Sequence, residues 1–156
     1  MNQESVTFRR ATTRDSDTIG LILKKILAEY KIQLPENYSF ADIEKLEEVY
    51  IDSGGEFIVL LKDRHIIGFF ALLPADNNQV ELKRLYLTAV ERGRGLGKYL
   101  LEMALSRAKE DGYHRIYLET TSKFKEAVAL YRNYGFKTNP GATLSPGHEI
   151  GLARDL

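Results

Sequence analysis

Cysteine is absent from all 156 residues. That excludes a disulfide framework, a thiolate zinc site and a cysteine nucleophile. Neither sign of charge is in excess, since 22 Lys and Arg stand against 22 Asp and Glu. Zero formal net charge argues against a protein that coats nucleic acid. Long hydrophobic runs are also missing. The longest apolar stretch, Ile66 to Leu73, falls well short of the ~20 residues that a membrane span requires. The N-terminal MNQESVTFRRATTRDSD is polar and mixed in charge, with no apolar leader core. A cytoplasmic location with no membrane or nucleic-acid partner is therefore expected. The histidines number only 3, and His65, His114 and His148 have no ligand-like spacing, so no metal is expected.

What remains is the composition of a packed globular chain, 44% hydrophobic and 28% charged, well away from the disordered class. The length fits one domain, residues 1–156, on a prior of roughly 100–200 residues per domain. Val6 to Arg10 reads as a strand. Thr12 and Thr13 offer N-caps, and Ile19, Ile22, Leu23, Ile26 and Tyr30 recur at helical spacing. A second helix is predicted over Phe40 to Tyr50. The period then changes to that of strands: Phe57 to Leu61, Ile66 to Leu73 and Val80 to Leu87, separated by polar turns at 62–65 and 74–78. A long helix follows, burying Leu96, Leu100, Met103 and Ala104 and ending near Asp111-Gly112. Ile116 to Glu119 reads as a strand and Ser122 to Tyr134 as a helix. Phe136-Lys137 and Glu149 to Ala153 read as two closing strands. The expected fold is a mixed α/β sheet, mainly antiparallel, flanked by helices and not doubly wound.

One segment carries more chemistry than the rest. Arg92-Gly93-Arg94-Gly95-Leu96-Gly97-Lys98 follows a strand and opens a helix. Such a turn can aim several backbone N–H groups at one point, where the helix field favours an anion. Glycine lets a ligand approach the backbone closely. A Walker loop would need glycine at 92 and a hydroxyl residue at 99, and Arg92 and Tyr99 stand there instead. A dinucleotide fingerprint would need glycine at 98 or 100, where Lys98 and Leu100 stand. The residues leave two readings: a phosphate or pyrophosphate site, or a tight strand-to-helix connection with solvated charges.

Arg92-x-x-Gly95-x-Gly97 resembles the acyl-CoA pyrophosphate motif of the Gcn5-related N-acetyltransferase (GNAT) family. Glu81-Leu82-Lys83-Arg84-Leu85-Tyr86-Leu87 resembles the fourth strand of that family. Ala127-Val128-Ala129-Leu130-Tyr131 through Gly135-Phe136 is similar to its A..LY…GF motif. The three occur in the family's order, and the resemblance covers most of residues 5–153. It implies a sheet splayed between its fourth and fifth strands, and acetyl-CoA as co-substrate. It also implies an amine acceptor of unstated identity, and it allows a homodimer. A non-catalytic acyl-CoA sensor on the same fold is the alternative function.

The resemblance also assigns residues. Gly93, Arg94, Gly95, Leu96, Gly97 and Lys98, with Arg92, would hold the pyrophosphate. The pantetheine arm would run along the backbone of Leu85, Tyr86 and Leu87, with the Leu87 N–H polarising the thioester carbonyl. Tyr131 matches the tyrosine placed near the sulfur, and its phenol would donate to the departing thiolate. Phe124 stands where many relatives have an asparagine that contacts the CoA arm, so that contact is lost. The acceptor amine must be neutral. With an ammonium pKa near ~10.4, only about one molecule in 2,500 is neutral at pH 7, a deficit of roughly 4–5 kcal/mol. A base is therefore useful. Glu81 on the fourth strand and Glu119 at the end of the fifth are the two candidates. A regular strand would place Glu81, Lys83, Leu85 and Leu87 on one face, and a bulge would shift that parity.

Overall fold

A computed structural model of the chain describes residues 5–36 and 38–156. Its centre is a seven-stranded sheet of order β1-β2-β3-β4-β5-β7-β6. The strands are β1 Val6–Arg10, β2 Glu56–Lys62, β3 His65–Ala75, β4 Gln79–Leu87, β5 Arg115–Thr120, β6 Lys137–Thr138 and β7 Ile150–Asp155. Every pair is antiparallel except β4 with β5. The helices are α1 Ser16–Glu29, α2 Ala41–Glu44, α3 Leu96–Glu110 and α4 Lys125–Asn133.

Two hairpins build the meander. Asp63 and Arg64 both take positive φ, as do Asn77 and Asn78, so each hairpin turns on two residues in the left-handed region. The sheet then separates two cores. On one side Ile58, Leu60, Phe70, Leu72, Val80 and Leu82 meet α3 through Leu100, Leu101, Ala104 and Ala108. On the other side Phe57, Val59, Phe69 and Ala71 meet α1 and the residues of 40–50. A chain with helices on both sheet faces buries both faces of its central strands, which is why β2 and β3 are apolar almost throughout.

Several boundaries differ from those expected. The second helix is not continuous over Phe40 to Tyr50: α2 stops at Glu44 and a π-helical turn, Glu47–Ile51, follows. Ile43, Leu46 and Tyr50 nevertheless all reach the core beside Phe57. Helix α4 begins at Lys125, because Thr121 to Phe124 form a turn held by Glu149. Its Oε1 accepts the Ser122 N–H at 2.7 Å and the Thr121 hydroxyl at 3.0 Å. Glu149 is therefore a tie rather than a strand residue, and β7 starts at Ile150. Leu96 and Met103 are only half-buried. No helix among the described residues is long and apolar enough to cross a membrane.

Gly68 of β3 lies opposite Leu87 at the end of β4. A Cβ there would stand 2.7 Å from Leu87 Cδ2 and 2.9 Å from the Tyr86 carbonyl oxygen. Gly68→Ala should therefore force β3 and β4 apart locally and cost about 1–3 kcal/mol of stability. Denaturant unfolding checks this, and an unchanged midpoint would show that the two strands separate there at no cost.

Candidate active site

The geometry of the site begins with β4. It pairs with β5 only from Gln79 to Glu81. From Leu82 onward its β5-facing edge has no strand beside it, so the expected splay is present. On the other edge the register with β3 shifts between Phe69 and Ala71, where Tyr86 and Lys83 are their respective partners. Two residues of β4, Arg84 and Leu85, thus stand opposite Phe70 alone, and Arg84 takes φ +57°. This is a β-bulge, and it reverses the side-chain alternation. Val80 and Leu82 face the α3 core before it, and Leu85 and Leu87 face the same core after it. Tyr86 points to the α1 side. Of the two arrangements open to β4, the bulged one is present, and it puts Leu85 and Leu87 on the face opposite Glu81.

Backbone directions follow. The Thr88 N–H donates to the Ile67 carbonyl at 2.9 Å. Gly68 and Leu87 are then a non-hydrogen-bonded pair, so the Leu87 N–H and C=O point away from β3. They face the opening between β4 and β5. The Leu87 carbonyl accepts from Arg92 Nη2 at 3.0 Å, while its N–H is aimed into the gap.

The glycine-rich turn closes one end of the opening. Gly93 and Gly95 take φ +79° and +81°, and Gly95 is the N-cap of α3. A Cβ on either would meet no atom within 4 Å, so open space lies in front of both. Gly97 is different. A Cβ there would lie 3.6 Å from Leu87 Cδ1 and 3.8 Å from Leu130 Cδ2, which brings the turn, the end of β4 and α4 together. Arg94 and Lys98 are exposed beside the turn. The Arg92 guanidinium is committed otherwise: it bonds Glu29 and the Leu87 carbonyl and lies over the Tyr30 ring, 5.2 Å from its centroid. Its side chain ties α1 to the turn.

Tyr131 projects from α4 into the core below the opening and is 6% exposed. Its ring packs edge-on against Phe136 with centroids 5.6 Å apart. Its hydroxyl has no hydrogen-bond partner among the described residues. Burial, with a smaller contribution from Tyr86, pushes its pKa up, so the phenol stays protonated. Phe124 precedes α4 and packs edge-on between Tyr30, at 4.7 Å, and Tyr86, at 5.7 Å. Where an asparagine would have offered a polar contact, an aromatic bridge joins the end of α1 to β4.

The two carboxylates differ in environment. Glu81 opposes Tyr117 of β5, and Tyr117 and Glu119 share a face by alternation. Glu81 is half-buried and makes no hydrogen bond among the described residues. Burial raises its pKa, Lys83 opposes the shift and Glu119 adds to it. Glu119 is already engaged. Its Oε1 accepts the Ser145 N–H at 3.2 Å, and its Oε2 lies 3.2 Å from His148 Nδ1. A cleft of about 340 Å³ opens beside it, lined by Asp76, Tyr117, Glu119, Asn139 and Thr143 among others.

Sequence patterns missed two features. His148 meets Glu119 only because the 139–149 segment folds back over β5. Asp42, in a segment of mixed polarity, binds Arg84 of the bulge through two oxygens. A sequence signal was available for neither, since the partners are 29 and 42 residues apart.

Comparison with known proteins supplies the family. The sequence signature of the Acetyltransferase (GNAT) family matches residues 23–136. The chain is 33% identical to the uncharacterized N-acetyltransferase YjgM of Escherichia coli strain K12, over 98% of this chain and 96% of that protein. An acetyltransferase of the GNAT family from Staphylococcus aureus Mu50 superposes with a TM-score of 0.88 at 24% identity, covering 97% of this chain and 99% of that one. The PaiA N-acetyltransferase of Thermoplasma acidophilum, solved in complex with coenzyme A, gives 0.77 at 24% identity, covering 97% and 99%. With the splayed β4 and β5, the glycine turn at the start of α3 and this similarity along nearly its whole length, the chain belongs to the GNAT family of acetyltransferases.

Proposed function

We propose that this chain transfers an acetyl group from acetyl-CoA directly to a primary amine of a small molecule or protein. The observation that carries the reading is the free edge of β4, which runs from Leu82 to Leu87 and ends beside a turn of exposed glycines. An edge of N–H and C=O groups suits an amide-bearing arm, and glycine amides at a helix start suit a pyrophosphate. The coenzyme A complex of the Thermoplasma relative supports this use of the fold.

Each residue then has a task. The amides of Gly93 to Lys98 hold the pyrophosphate, with Arg94 and Lys98 adding positive charge, while Arg92 braces the turn. The Leu87 N–H faces the gap and polarises the thioester carbonyl. Glu81 takes the proton of the acceptor amine, because its raised pKa makes it a better acceptor than an ordinary carboxylate and it has no competing hydrogen bond. Glu119, held by Ser145 and His148, shapes the cleft. The Tyr131 hydroxyl donates to the thiolate as the thioester carbon–sulfur bond breaks. Its own raised pKa keeps the proton in place until negative charge develops on sulfur.

The primary test is thiol release from acetyl-CoA with a panel of amines. Release that depends on an amine is expected. Binding of acetyl-CoA without release for any amine would favour the sensor role instead. Gly95→Val should lower acetyl-CoA affinity by about 10-fold or more, equal to ~1.4 kcal/mol. The added side chain fills the open space before the turn and strains a left-handed residue. Equal affinities by calorimetry would remove the turn from the binding site.

Tyr131→Phe should reduce kcat by roughly 10²–10⁴ with little change in acetyl-CoA affinity. Unchanged turnover at saturation would leave Tyr131 a packing residue. Glu81→Gln should abolish the acidic limb of the pH–rate profile. Since burial raises the Glu81 pKa, that limb in the wild type lies above the ordinary carboxylate range, and activity falls as pH drops through it. If Glu119→Gln removes the limb and Glu81→Gln does not, the base is on β5.

A further inference from the structure

The guanidinium of Arg84 sits at the bulge itself and is held by a carboxylate from another element. Its Nε donates to Asp42 Oδ2 at 3.0 Å and its Nη2 to Asp42 Oδ1 at 2.7 Å. The Tyr50 hydroxyl donates to Asp42 Oδ2 at 2.6 Å. The guanidinium also lies 5.4 Å from the centroid of the Phe40 ring. The Arg84 and Asp42 side chains are 18% and 19% exposed, and Tyr50 is fully buried. A two-bond fork between a guanidinium and a carboxylate fixes orientation as well as distance.

Two observations make this more than an ion pair. First, Arg84 is a non-glycine residue at φ +57°, a conformation that a bulky side chain adopts only where its surroundings impose it. Second, the bulge decides what β4 presents to the opening. Without the extra residue, every side chain beyond it would change face, and the backbone groups would change edge. The Leu87 N–H would then turn toward β3 and leave the gap. The partner that anchors the bulge lies on α2, which with α1 packs over this face of the sheet.

We propose that Asp42, Arg84 and Tyr50 form a positioning network that holds the β4 bulge in register for acetyl transfer. Arg84 and Asp42 touch no reacting atom in this scheme. They act through the backbone of Leu85 to Leu87, keeping the Leu87 N–H aimed at the thioester carbonyl, and they fix α2 against that same strand. Binding of acetyl-CoA at the glycine turn does not depend on them, because the turn is braced separately by Arg92. The proposal rests on the acetyl-transfer reading above and names residues it does not use.

The test compares Asp42→Asn, Arg84→Gly and Tyr50→Phe with the wild type in the full chain. Glycine at 84 removes the guanidinium yet accepts a positive φ, so the bulge can persist without its tether. For each folded variant, kcat and KM come from thiol release with an amine the wild type uses, and acetyl-CoA Kd from calorimetry. Asp42→Asn and Arg84→Gly should lower kcat by about 10- to 100-fold, the scale of a small misplacement of reacting groups. Their acetyl-CoA Kd should rise by less than kcat falls, because the glycine turn keeps its own hold on the pyrophosphate while only the Leu85 to Leu87 backbone beside the arm is disturbed. Arg84→Lys, which keeps the charge but not the fork, should fall between wild type and Arg84→Gly. Tyr50→Phe removes one hydrogen bond and should give the smallest loss. A purely structural role would lower the melting temperature and leave kcat per folded molecule unchanged. Wild-type kcat in folded Arg84→Gly overturns the network. Absence of thiol release from the wild type with every amine overturns the acetyl-transfer reading and the network together.

Discussion

Beyond Glu81 the backbone of β4 leaves β5, and the two strands never pair again. A parallel pair that separates exposes peptide groups which would otherwise be satisfied, and a sheet interior does not tolerate that without a reason. Here the bulge at Arg84 bends the strand, and the side chains of Leu85 and Leu87 turn into the α3 core. Tyr131 enters the same core from α4. The separated edge is thus supported from below by apolar contacts and left open along its length, where an extended, amide-bearing ligand can take the place of the missing strand.

The mouth of that opening is braced by charge rather than by burial. Arg92 holds the Leu87 carbonyl, Glu29 at the end of α1 and the Tyr30 ring at once. Phe124 extends the same brace, since its ring joins Tyr30 to Tyr86. The end of α1, the end of β4, the glycine turn and the start of α4 are therefore linked by side-chain contacts. They come close at Gly97, where a Cβ would stand at ordinary contact distance from Leu87 and Leu130.

Two carboxylates of the same face are separated in chemistry by their neighbours. Glu119 is engaged by the loop amide of Ser145 and by His148. Glu81 keeps a free carboxylate in a half-buried position, where desolvation disfavours its charge. The distinction lies in the 139–149 segment, which folds over one residue and not the other. On the α2 side, the Arg84 guanidinium meets the opposite situation. Burial works against the Asp42 carboxylate, yet the hydrogen bonds and charge of Arg84, with the Tyr50 hydroxyl, outweigh it and hold the Asp42 pKa below its ordinary value.

The strands, the two hairpin turns, helices α1 and α3 and the glycine turn were readable from local pattern. Period-two and period-3.6 spacing, polar turn pairs and glycines before a helix are properties of neighbouring residues, and neighbouring residues are what a sequence displays. The three motifs and their order carried the family for the same reason. Other features depended on groups far apart in the chain. The bulge reverses the face of Leu85 and Leu87, and no residue in β4 announces it, because it is held by Asp42 from another element. The break between α2 and the π-helical turn is invisible in the apolar spacing, because Ile43, Leu46 and Tyr50 would share one face of an unbroken helix too. The unequal states of Glu81 and Glu119 follow from where a later loop comes to rest. Sequence fixes which groups are available, and tertiary structure decides which of them meet, since burial and hydrogen bonding act between atoms close in space whatever their separation along the chain.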